Sequence, residues 1–278
     1  MHETIVKQIK HHHRRRCLAM KQRISLVNRA CALIRITLGW SLKVPEKERK
    51  KIEKEALRIF NNGDDLEFAD MVAGTKLGCE PFETMEALHV KAGEGLAKGM
   101  PVWEEFGKSI RGFGLGSLAV IIGEAGDLSN YATDAKLWKR MGVAVLDGTR
   151  QGGLTKAASD DDWIRHGYNR KRRSWLWNIG DSLIKAQVRK VRDGDDEDTG
   201  ERKAIGRYGE IYLRRKAYES ERDPGMSKLH AHRRAQRYME KRLLRDLWKA
   251  WGRGTSGSMA EKPEMTLSPA SSHILPAA

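Results

Sequence analysis

Three glycines at every second position, in the run Arg111-Gly112-Phe113-Gly114-Leu115-Gly116-Ser117, offer the first chemistry in this sequence. Glycine tolerates positive φ and lets a neighbouring backbone come close, so Gly112 and Gly114 read as a tight bend around one apolar side chain, Phe113. The bend falls between a helix expected over 101–110 and an apolar helix expected from 115 through 122. Helix, bend, helix is the layout of a helix-hairpin-helix. In that layout the amides of the bend and of the second helix's N-terminus face outward. Together with the positive end of the helix dipole they form a seat for a phosphate oxygen. Lys108 and Arg111 stand beside that seat, Gly116 opens the second helix, and Ser117 offers one more donor. A tight turn between helices, with no ligand, would use the same residues.

Two further stretches carry polyanion chemistry. Residues 165–177 hold Arg165, Arg170, Lys171, Arg172 and Arg173 without an acid, interleaved with Tyr168, Trp175 and Trp177. Arginine pairs with phosphate and stacks on bases, and aromatic rings stack as well. The two tryptophans are read as core and the arginines as polyanion contacts. A helix expected over 226–251 divides into two stripes. Ala235, Met239, Leu243, Leu247 and Trp251 form a core stripe. Arg234, Arg237, Lys241, Arg245 and Lys249 form a basic one that could track a nucleic-acid backbone, and such contacts make affinity fall steeply with salt.

Other clusters are set aside. His11, His12 and His13 are adjacent, so on a helix they point in different directions and make a poor metal site. His230 and His232 are read as surface or capping residues, and the acidic run 193–201 as a solvated turn. Cys17, Cys31 and Cys79 are odd in number with no CxxC spacing, which disfavours a disulfide framework or structural zinc and fits a reducing cytoplasm. No catalytic residue, metal ligand or cofactor is assigned.

The balance of 52 Lys and Arg against 37 Asp and Glu gives the 278-residue chain a net charge of +15, so a polyanion is the expected partner. With no apolar run of about 18 residues and no signal-peptide pattern, a membrane is not.

The elements that position these residues are all expected to be helical. A long helix over 3–39 carries Cys17, Met20, Ile24, Val27, Cys31, Ile34 and Leu38 at spacings of three and four. That seam fits a coiled coil between two copies and a core-facing helix equally. Helices are expected at 45–61, 65–73, 81–98 and 101–110. Another spans 134–141, capped by Thr133 and ended by Gly142. Then come a loop over 146–160, a long helix from 163 to 192 with Asp160–Asp162 at its entrance, and helices at 205–220 and 226–251. The fold class is all-α. A coiled-coil-like arm occupies 1–43, a helical linker region 44–100, a helix-hairpin-helix nucleic-acid-binding domain 101–251, and a disordered tail 252–278.

The stretch 111–145 resembles the C-terminal domain of the serine-containing DEDD insertion-sequence transposases, the bridge-RNA-guided group. Gly112, Phe113, Gly114, Ser117, Glu124, Gly126, Asp127, Leu137 and Gly142 fall in step with that family's pattern. The Gly-Gly at 152–153, the segment 166–173 and the basic helix over 231–249 follow in the family's order. Residues 5–40 resemble the coiled coil that precedes the domain. The resemblance implies a DNA-binding, transposition-related protein, a homodimer through the N-terminal helix, and DNA or a structured RNA as partner. It also marks two departures. The family's ribonuclease-H-like nuclease domain has no counterpart, and Gln151 stands where the family has its nucleophilic serine. An amide cannot attack phosphorus, so the cleavage chemistry is expected to be missing. Two other readings stay open. One is strand transfer by a neighbouring hydroxyl such as Thr149; the other is a helical scaffold for acidic protein partners.

Overall fold

Where apolar residues recur three and four apart the chain is helical, and helix dominates the computed structural model, which describes residues 2–155, 157–193 and 197–256. Helices α1 (His2–Thr37), α2 (Glu46–Asn62), α3 (Ala69–Lys98), α4 (Pro101–Glu105), α5 (Leu115–Ala125) and α6 (Asp134–Met141) come first. A hairpin of β1 (Val145–Leu146) and β2 (Thr149–Arg150) follows, then α7 (Asp160–His166) and α8 (Arg170–Gln187). A second hairpin, β3 (Val188–Asp193) and β4 (Glu197–Ala204), leads into α9 (Arg207–Arg222) and α10 (Lys228–Ser256).

Local signals set many of these boundaries. Thr133 caps α6 by accepting from the Lys136 amide, and Gly142 ends it in the left-handed region. Ser159 and Asp162 close a capping box on α7.

The fold is mostly helical, as expected, and four local expectations need correction. The chain is not purely helical: β3 and β4 pair antiparallel, Val188 opposite Ala204 and Lys190 opposite Arg202, with a register shift between Lys190 and Arg192. Of the expected acidic turn over 193–201, Asp193 belongs to β3 and 197–201 to β4, while 194–196 lie outside the described residues. The long helix expected over 163–192 is two helices. Gly167 stops α7 in the left-handed region, and Asn169 caps α8 by accepting from the Arg172 amide at 2.9 Å. The separate helices at 65–73 and 81–98 are one, α3, with Pro81 inside it. Proline removes one helical hydrogen bond, but packing against α1 on both sides of Pro81 keeps α3 continuous. Finally, α10 runs to Ser256, so the tail placed from 252 begins inside a helix, and 257–278 lie outside the described residues.

Two apolar clusters hold the helices. The larger joins Val6 and Ile9 of α1 to Phe113, Ile121 and Ile122, to Leu176 and Leu183 of α8, and to Leu243 and Trp251 of α10. The smaller joins Ala30 and Ile34 of α1 to Ala56, Ile59, Phe60, Phe68 and Val72. The α1 seam is thus largely used within the chain: Val27, Cys31 and Ile34 pack in the smaller cluster, while Ile24 and Leu38 stay exposed. Arg23 of α1 also pairs with Glu86 of α3 at 2.8 Å.

One buried amide ties the C-terminal half together. Gln187, the last residue of α8, accepts from the amides of Tyr208 and Gly209 at 2.9 and 3.1 Å, and donates to the Arg111 carbonyl at 2.7 Å. It therefore caps α9, whose own N-cap, Gly206, has no side chain to do so. No helix among the described residues is long and apolar enough to cross a membrane.

Candidate nucleic-acid interface

The glycine bend lies at the C-terminal end of α8. Gly112 adopts φ +85°, and a Cβ there would stand 2.5 Å from the Cβ of Ala186 and 3.0 Å from the Ser182 carbonyl, so only glycine fits. Phe113 is buried and meets Phe106 edge-on. Gly114 is the N-cap of α5, and its carbonyl already takes the amides of Ser117 and Leu118. The amides ahead of them have no acceptor within the helix. One acid already stands at this positive end, and another takes up the neighbouring lysine. A Cβ at Gly116 would lie 2.8 Å from the Glu94 carboxylate, and Lys108 is paired with Glu104 at 2.8 Å. Arg111 turns to a different concavity of about 480 Å³, shared with Arg207, Lys249 and Arg253.

The basic residues gather at the other end of α8. The first two turns of α8 and the N-terminal half of α10 face each other, with the β1–β2 hairpin at one side. Arg150, Tyr168, Arg170, Arg173, Trp177, Arg233 and Arg237 line a concavity of about 340 Å³ there, with no acid in its wall. Arg150 and Arg237 also line an adjoining concavity of about 370 Å³, where Arg215, Arg222, Arg234 and Lys241 face a single acid, Glu219. Glu219 is buried and holds Arg215 and Arg234 in place, the latter at 3.1 Å. Tyr238 lies between the guanidinium groups of Arg215 and Arg242, 4.8 and 4.9 Å from its ring. Arg150, Arg170, Arg222 and Arg233 are exposed and free to meet a ligand.

Beneath this cleft α8 and α10 cross at Gly180, where a Cβ would come within 2.6 Å of Glu240. Glu240 is fully buried. Its Oε1 accepts from Gln236 at 3.1 Å, and Arg173 Nη1 lies 3.0 Å from its Oε2, off the line of a hydrogen bond. Arg237 Nη1 is buried nearby with no hydrogen-bond partner. Burial pushes the Glu240 carboxyl up to about 7, although Arg173, Gln236 and Arg237 pull against it. The folded state keeps the Glu240 proton that the unfolded chain gives up near pH 4.5. Between pH 4.5 and about 7 stability from this group therefore falls as pH rises, by about 3 kcal/mol in all, and is flat above. Urea midpoints of Glu240→Gln should lack that decline, while wild type shows it.

The sequence-derived residues thus separate. Arg170, Arg173, Arg234, Arg237 and Lys241 line the cleft. Lys108, Arg111, Gly112, Gly114, Gly116 and Ser117 lie about the bend, and Ser174 in the cleft is twelve residues from Ala186 at the bend, roughly 18 Å along α8. Arg165 faces a shallow basin with Lys139 and His166. Arg245 lies 3.7 Å from Asp134, away from both. Lys171 is exposed but turns toward Cys17. Arg172 does not reach the surface: it is buried, 3.3 Å from Glu124, and donates to the Arg140 carbonyl at 2.9 Å. Its type suggested a phosphate contact, and its place in α8 makes it an internal counter-charge. Trp175 packs against the larger cluster, whereas Trp177, read as core, is exposed on the cleft wall.

Arg150, Arg215, Arg222 and Arg233 are cleft residues the sequence reading leaves out. A signal existed for Arg233, which stands one helical turn before Arg237. None existed for Arg150, which a hairpin brings across from another part of the chain.

Gln151 is buried. Its Nε2 donates to the carbonyls of Lys139 and His166, both at 3.1 Å, and fastens the β1–β2 hairpin to α6 and α7. The histidine run divides as helical geometry requires: His12 meets His89 of α3, and His13 reaches Glu124 of α5.

No family model, no curated protein and no solved structure matches this chain.

Proposed function

We propose that this protein binds the phosphate backbone of a nucleic acid in the arginine cleft between α8, α9, α10 and the β1–β2 hairpin. One observation carries the reading. Eight arginines and a lysine, drawn from four elements far apart in sequence, line two adjoining concavities whose walls include one acid, already paired. A helix face that is merely solvated mixes its signs; a surface that concentrates one sign in a concavity focuses its field on an oppositely charged ligand. Trp177 and Tyr168 in the same wall give an unpaired base a face to stack on.

The resemblance of 111–145 to the DEDD transposase domain supports DNA as the partner and a transposition-related origin, and leaves a structured RNA as the alternative. In this reading the bend at Gly112 is a helix-hairpin-helix elbow and a second, weaker phosphate contact, and exposed apolar residues of α1 serve a homodimer. With the Gln151 side chain committed to two backbone carbonyls, the chain holds nucleic acid without cutting it.

The test is binding of duplex DNA, single-stranded DNA and RNA at several salt concentrations. Four or more phosphate contacts give a log–log slope for duplex of about −4 or steeper. Trp177→Ala is expected to weaken single-strand binding about tenfold and leave duplex binding nearly unchanged. A salt response that is flat for all three ligands would overturn the proposal.

A further inference from the structure

Cys17 is half-buried on α1, one helical turn after His13, and its sulfur lies 3.6 Å from His13 Nε2. The same nitrogen is 2.9 Å from Glu124 Oε1, and Arg172 stands 3.3 Å from the other carboxylate oxygen. From α8, the exposed Lys171 brings a further positive charge toward the sulfur. We propose that Cys17 is a nucleophile activated by its contact with His13, a modification site that takes low-mass disulfides and other soft electrophiles.

The geometry separates this cysteine from the other two. Cys79 is buried and faces only the Arg23 carbonyl at 4.0 Å, and Cys31 packs in the apolar cluster between α1 and α2. Burial pushes both thiols up. Burial also works against charge at Cys17, yet His13 and the positive charge of Lys171 outweigh it and bring the thiol below its ordinary value. His13 is held as the imidazolium in the same way: burial opposes the charge, and Cys17 and Glu124 raise it to about 9.

The donor atoms of His13, Cys17 and Glu124 lie within 4.8 Å of one another, a spacing that would also suit a metal ion. The charges favour the ion pair. Thiolate and carboxylate are already balanced by the His13 imidazolium and Arg172, and Lys171 adds a further positive charge against an incoming dication. With a small disulfide, the Cys17 thiolate attacks one sulfur and the S–S bond breaks. The second sulfur leaves as a thiolate carrying the electron pair. Cys17 is oxidised to a mixed disulfide, half of the reagent is reduced, and the proton stays on His13.

The test is iodoacetamide labelling of the full chain after dialysis against EDTA, read cysteine by cysteine by peptide mass spectrometry. At pH 7, Cys17 should react several-fold faster than Cys31 or Cys79, and its rate should level off at a lower pH than theirs. His13→Gln should slow Cys17 several-fold at pH 7 and move its pH–rate profile to that of an ordinary thiol. Should that variant fail to fold, Lys171→Met, a change at an exposed position, should slow Cys17 about twofold at pH 7. The proposal is overturned if Cys17 labels no faster than Cys31 at pH 7. It is equally overturned if the protein before dialysis carries one equivalent of zinc that blocks Cys17, which would make the cluster a metal site.

Discussion

Replacing Arg150, Arg170, Arg222 and Arg233 together by glutamine should lower affinity for duplex DNA by about 10³-fold at 0.1 M salt and leave the fold intact. All four side chains are exposed, so no core contact or buried ion pair is lost. Each arginine that meets a phosphate displaces close to one counterion, which at 0.1 M salt is worth about a factor of ten in binding. Four lost contacts therefore remove about three to four decades and flatten the salt slope by about three to four units. The readout is a salt titration of wild type and variant with circular dichroism as the control. A variant that binds within threefold of wild type would move the ligand off this cleft.

The second large effect concerns stability. Glu124→Ala should destabilise the protein by about 3–5 kcal/mol, which lowers the melting temperature on the order of 10 °C. Glu124 bridges two cations that are both largely buried, His13 at 2.9 Å and Arg172 at 3.3 Å. Its removal leaves the buried Arg172 without a counter-ion and His13 with Cys17 as its remaining partner. Glu124→Gln keeps an acceptor for one of them and should cost roughly half as much. Burial raises the Glu124 carboxyl, but His13 and Arg172 outweigh it and hold the group below its ordinary value. Its contribution is therefore present above the unfolded value near 4.5 and is lost as pH falls through the lowered one. Wild type should lose stability on that acid side, and Glu124→Gln should lose less. Equal melting temperatures for wild type and Glu124→Ala would show that the bridge carries no weight.

These two expectations mark the boundary between what local sequence reveals and what only packing decides. The α10 stripe Ala235, Met239, Leu243, Leu247 and Trp251 is legible because a helix places every fourth residue on one face, and all five are buried. The ends of α6 are legible because Thr133 and Gly142 act on their own neighbours. The β3–β4 hairpin is harder to see. Its strands are charged, and its base is fixed by Gln187, which binds Ile205, Tyr208 and Gly209 across about twenty residues. Pro81 argues for a break that tertiary packing along α1 overrides. For the site, residue type proved a partial guide. Arg172 and Arg173 are adjacent and chemically alike, yet a helix turns them about 100° apart. Arg173 enters the cleft wall while Arg172 points inward to Glu124. Arg150 joins the cleft only because Gln151 anchors its hairpin to α6 and α7.

The bend around Phe113 and the arginine cleft occupy opposite ends of α8, so one experiment can separate them. A photoreactive phenylalanine analogue is placed at Ser174, exposed on the cleft wall, or at Ser109, exposed beside the bend. Each protein is then irradiated with bound DNA at low salt. The cleft account predicts strong crosslinking from position 174 that disappears with the four-arginine variant, and little from position 109. Crosslinking from 109 with none from 174 would contradict it.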